Sequence, residues 1–223
     1  MYRRQSQQGC MNKRNKKFVI TSMPGAGISR LTSALRNLGD FNVYENNKDL
    51  IKLENLIDVS NCLNEMLSNN KYDGFKLFHK HLSKTPLVKD YINNNDIYVI
   101  HLYRENVIKQ IILEDVKVSP KIDMTKIPSK INKINKANKE LTKYFKGKRY
   151  LKISYEELTD KNRGMMHVGK IYNLLRINKN PIIDVPLSKH GYPSTKVIVS
   201  NYGEVIREMR RCKMVKKEWF KGL

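Results

Sequence analysis

FVITSMPGAGISRLTSAL, residues 18–35, is the stretch on which the fold turns. FVITS, residues 18–22, is short, apolar and β-branched, as a buried strand requires. Pro24, Gly25, Ala26 and Gly27 break it, and from Ile28 the apolar residues return at the three- and four-residue spacing of one helix face, ending at Gly39. A strand, a glycine turn and a helix in that order bring several backbone N–H groups and the positive end of a helix dipole to one point, which is an anion site. Ser29, in the first helical turn, adds a hydroxyl donor. The Walker A pattern, aligned on Gly27, needs glycine where Ser22 stands and lysine where Ile28 stands. Neither is present, so an ordinary ATP or GTP hydrolase, or a kinase built on such a loop, is disfavoured.

Outward from this unit the chain alternates. Further strands are predicted at 41–45, 74–78, 97–103 and 149–154. Helices are predicted at 49–67, 105–118, about 126–145, 163–176 and 197–212, with a broken one in HLSKTPLVKDYI. Strands separated by helices predict an α/β domain with a mostly parallel central sheet flanked by helices, because right-handed crossovers place helices on both faces. The ligand crevice of such a sheet lies at the carboxyl ends of its strands. Residues 22–30, 44–46, 76–81, 103–109 and 154–157 fall there. With 223 residues and 40% hydrophobic composition, one core is expected, spanning 17–223 after a flexible basic arm over 1–16.

The formal charge is +22, from 43 Lys and Arg against 21 Asp and Glu, a field that draws polyanions without naming one. Nucleic acid is disfavoured as the partner, because aromatics make up only 9% and are not interleaved with the basic runs. Cys10, Cys62 and Cys212 are odd in number and widely spaced, which indicates neither a disulfide framework nor a metal site. No stretch has the roughly 18 apolar residues of a membrane span and no leader segment is visible, so a soluble cytoplasmic protein is expected.

Five segments together resemble the sulfotransferases that use 3'-phosphoadenosine 5'-phosphosulfate (PAPS) and release its desulfonated product PAP. Pro24-Gly25-Ala26-Gly27-Ile28-Ser29 is similar to the loop that holds the donor's 5'-phosphosulfate, and IYVIHLYRENVIKQ, residues 97–110, to the strand ending in the arginine of the 3'-phosphate site. GFKLF (74–78), YLKISYEELTD (150–160) and LSKHGYPSTKVIVSNYGEV (187–205) follow the family's order, with bacterial carbohydrate-type members nearest in character. The resemblance implies a sulfuryl transfer from PAPS to a hydroxyl of a carbohydrate or similar acceptor, with no metal. It implies that residues 24–29 and Arg30 cradle the phosphosulfate and that Arg104 forks onto the 3'-phosphate.

Two departures from the family stand out. Gly25 replaces the usual lysine or arginine, and Ile112 and Leu113 stand where a serine supports the 3'-phosphate. Arg30, Lys76, Lys109 and Lys189 are the substitute cations considered, and Tyr155 is placed at the crevice. Candidates to take the acceptor's proton are Glu45, the preferred one, and the histidines after the third strand, His79 foremost. The rival expectation is a non-catalytic protein of the same fold that binds polyanions or nucleic acid through its basic surface.

Overall fold

Phe18–Ser22 forms β1, buried along its whole length, in a five-stranded sheet of order β2-β3-β1-β4-β5. The computed structural model describes residues 16–37, 41–44, 56–68, 72–147, 149–160, 162–177 and 199–211. The partners are β2 (Val43–Tyr44), β3 (Gly74–Phe78), β4 (Tyr98–Tyr103) and β5 (Tyr150–Ser154), and every pairing is parallel. Burial on both faces explains why β1 and β4 read as near-continuous apolar runs. From β1 the chain winds to β2 on one side, whereas from β3 it crosses to β4 on the other. That reversal opens a crevice at the carboxyl ends of the central strands.

Nine helices pack around this sheet among the described residues. They are α1 (Ile28–Asn37), α2 (Leu56–Ser68), α3 (His79–Lys84), α4 (Pro86–Asn94), α5 (Val107–Asp115), α6 (Ile127–Tyr144), α7 (Tyr155–Thr159), α8 (Gly164–Leu174) and α9 (Tyr202–Arg211). One core cluster joins α1 and α8 to Phe18, Ile20, Ile100 and Leu102; a second joins α2, α4 and the end of α6 to Val19, Phe75 and Val99. A third contains no strand residue: it packs α5 and the first half of α6 against Met23, Val199 and Val205.

The predicted α/β architecture is the one observed, with local differences that have chemical causes. The broken helix divides at Thr85, because Pro86 ends one helix and suits the first turn of the next. α5 begins at Val107 rather than 105, since the Asn106 side chain accepts the Lys109 N–H at 2.9 Å and caps it. α7 forms directly after β5, where Ser154 Oγ accepts from Glu157 N at 3.0 Å while Glu157 accepts from Ser154 N at 2.7 Å. His101 is fully buried between the Tyr150 hydroxyl (2.6 Å) and the Asn138 side chain (3.3 Å). His167 lies 3.5 Å from Glu157. The 1–15 part of the basic arm, residues 45 and 49–55, and 187–198 of the terminal motif lie outside the described residues.

Candidate functional site

The loop after β1 is shaped by its two glycines. Gly25 has φ +77° and Gly27 φ +97°, the left-handed region where a side chain is strained. Their surroundings forbid one as well. A Cβ on Gly25 would lie 2.7 Å from the Gln110 carbonyl oxygen, and one on Gly27 would lie 2.6 Å from Cε2 of the Tyr155 ring. Ala26 N donates to the Met23 carbonyl, and Arg30 N and Leu31 N both donate to Gly27 O at 3.0 and 3.2 Å. The amides of Gly25, Gly27, Ile28 and Ser29 have no acceptor among the described residues. These are the donors that an anion at a helix N-terminus takes up.

Two neighbouring elements hold the loop. From α5, Gln110 Nε2 donates to the Pro24 carbonyl at 2.6 Å, with the Gln110 side chain almost fully buried. From the end of β4, Arg104 Nη1 donates to the Gly25 carbonyl at 3.1 Å. Arg104 is 6% exposed, and its Nε lies 3.5 Å from the Glu156 carboxylate, an ion pair without a direct hydrogen bond. Glu156 in turn accepts from the backbone N–H groups of Glu105 (2.9 Å) and Asn106 (3.3 Å), tying α7 to the β4–α5 turn. The Tyr155 ring stands under the Arg104 guanidinium, 4.4 Å from its carbon, and the Tyr155 hydroxyl accepts from Arg30. Burial pulls the Arg104 guanidinium below its ordinary value, with Glu156 opposing, yet an arginine stays charged at any physiological pH. Burial and then Arg104 pull the Lys109 ammonium down in the same neighbourhood.

These groups wall a cleft of about 660 Å³, within the range of small-molecule sites. Pro24, Gly25, Gly27, Ile28, Ser29, Arg30, Arg104 and Tyr155, all singled out from the sequence, line it together. Ala26 is fully buried and serves the loop through its backbone. Lys109 lies beside Arg104 and Glu156 without lining the cleft. Two placements need correction. Lys76 is paired in register with Ile20 in mid-sheet; it shares a strand face with Phe78 but stands two residues short of the strand's end and does not line the cleft. His79 also stands off the lining and is joined to Glu140 of α6 at 2.7 Å. Glu45 and Lys189 lie outside the described residues.

Ser33, Phe78, Lys80 and Lys117 also line the cleft and were not selected from the sequence. Ser33 was findable, since it lies one helical turn beyond Ser29 on the same face. Lys80 falls inside the predicted crevice segment 76–81, where two histidines drew attention instead. Lys117 carried no signal, because it enters the cleft only through the turn that ends α5.

Among solved structures, mouse sulfotransferase SULT7A1, crystallised in complex with PAP, superposes with a TM-score of 0.51 at 14% identity, over 93% of this chain and 78% of its own. A sulfotransferase from Alicyclobacillus acidocaldarius superposes with a TM-score of 0.50 at 11% identity, over 91% of this chain and 98% of its own. No protein-family model and no curated protein sequence matches. The chain has the sulfotransferase fold, as the sequence resemblance implied. No helix among the described residues is long and apolar enough to cross a membrane.

Proposed function

We propose that this protein is a sulfotransferase that moves a sulfuryl group from PAPS to a hydroxyl of a carbohydrate or a similar acceptor. The observation that carries the proposal is the convergence, in one cleft, of four acceptor-free loop amides and the buried Arg104 guanidinium. The residues fit a donor of that kind. Amides 25 and 27–29 with the Ser29 hydroxyl suit a phosphosulfate, and Arg104 suits the second phosphate that distinguishes PAPS from ATP. The mouse neighbour's bound PAP supports the same choice.

PAPS, when bound, supplies a sulfuryl group whose transfer to oxygen leaves PAP as product. The chain's own tasks are to hold two anionic groups, to neutralise the charge that grows on the departing phosphate oxygen, and to accept the acceptor's proton. Arg30 and the loop amides serve the first task at the 5' end, and Tyr155 fixes both Arg30 and Arg104 in direction. For the third, the engagement of His79 with Glu140 leaves Glu45, one residue beyond β2, as the preferred base. Fixed protein cations suffice for transfer of this kind, so the proposal includes no metal.

The test is thermal stability with PAP, PAPS, ATP and a short DNA duplex at two salt concentrations. A ligand bound only by the native state adds about 2.7 kcal/mol at a hundredfold excess over its Kd. Stabilisation by PAP and PAPS, absent with ATP and persisting in salt, is the expected result. Stabilisation by DNA alone, and only at low salt, would instead favour a polyanion-binding protein. The exposed Lys133, Lys136, Lys139 and Lys143 on α6 are the surface such a protein would use.

A further inference from the structure

The loop lacks a cation at Gly25, and the structure shows that it cannot carry one, since a Cβ there meets the Gln110 carbonyl oxygen at 2.7 Å. Charge on the departing oxygen must therefore be met from another wall of the cleft. Four basic side chains line it: Arg30, Lys80, Arg104 and Lys117. Three of them are engaged. Arg30 donates to the Tyr155 hydroxyl, Arg104 to the Gly25 carbonyl beside its Glu156 pair, and Lys117 pairs with Glu114 at 3.1 Å.

Lys80 differs from all three. It has no carboxylate partner among the described residues, and its ammonium stands 6.0 Å above the face of the Phe78 ring, itself part of the cleft wall. Phe78 is paired in register with Ser22, the last residue of β1. Lys80, two residues further on in the first turn of α3, is thus carried to the side of the loop that Gln110 does not occupy. A lysine is a point charge on a long stem, able to follow charge as it moves between oxygens.

We infer that Lys80 supplies, from α3, the cation that the loop cannot hold, and places it on the oxygens of the donor's 5'-phosphate, where negative charge gathers as the sulfuryl group leaves. This rests on the PAPS reading above. It makes Lys80 a catalytic residue of this chain, and it separates Lys80 from Arg104, which serves the other phosphate.

Calorimetric titration with PAP and with adenosine 3'-monophosphate, which lacks the 5'-phosphate, tests the assignment on Lys80→Ala and Lys80→Arg. Lys80→Ala is expected to weaken PAP about tenfold, the scale of one charge-assisted contact, and to leave adenosine 3'-monophosphate within about twofold. Lys80→Arg is expected to recover most of the loss. Because Lys80 is exposed, both variants should melt without ligand at the temperature of the unmodified protein, which keeps misfolding apart from the result. Unchanged PAP affinity in Lys80→Ala, or equal losses for the two ligands, would overturn the role of Lys80 while the PAPS reading stands. Failure of the unmodified protein to bind PAP would overturn both.

Discussion

Gly25 holds its backbone at φ +77° with the Gln110 carbonyl pressed against the place where a side chain would begin. Gly25→Ala is expected to cost about 1–3 kcal/mol, the range for a residue forced into that region, and urea unfolding measures it. Gly25→Lys, which sequence reasoning alone recommends as a restoration of the family's loop, should lose stability in the same way and gain no turnover. Arg104→Ala should weaken PAPS far more than adenosine 5'-phosphosulfate, which has no 3'-phosphate; comparable losses would mean that Arg104 acts only as the brace of Gly25. At His101, burial pushes the imidazole down to about 4 from an ordinary 6.5, so as pH falls the unfolded chain takes up the proton first. Stability should be complete above about pH 6.5 and decline towards pH 4, on the order of 3 kcal/mol in all, with His101→Gln flattening the slope in urea titrations.

α7 is five residues long and brings two of them to the site: Tyr155 against Gly27, and Glu156 against Arg104. A helix so short depends on its cap. Ser154→Ala should cost about 1 kcal/mol and raise the Kd for PAP, whereas Ser154→Thr, which keeps the hydroxyl, should do neither; titration of the two variants separates them. The elements were largely legible because strands and helices have different periods, and FVITS and IYVIHLY announce themselves by that alone. The site was legible where it follows from the loop motif or from a strand's end, as Ser29 and Arg104 do. Lys76 and His79 misled because residue type and nearness to a strand's end do not fix whether a side chain reaches the cleft. Lys76 shares the face of Phe78 but sits too far back in the sheet, and Glu140, sixty-one residues away in sequence, captures His79. Gln110 closes the segment that carries the resemblance, yet its place behind the loop could not be read, since its partner is the Pro24 carbonyl and backbone acceptors leave no trace in sequence.

At the scale of the molecule, +22 charges repel one another in the compact state. Raising salt from about 10 to 150 mM shortens the Debye length from about 30 to 8 Å, so the melting temperature without ligand should rise over that range. A second consequence comes from the third core cluster, the one without strands. Ile108, Ile111 and Ile112 of α5 pack there with Val199 and with Val205, which is fully buried, and Asn201 clasps Ile122 through bonds of 3.0 and 2.9 Å. The same α5 carries Gln110, the prop of the loop. Removing the chain from residue 199 onward should therefore speed amide exchange in α5 while the sheet stays protected, a pattern that exchange mass spectrometry resolves. On the proposed reading, two valines on the far side of α5 would then help to set how long the donor dwells on the loop.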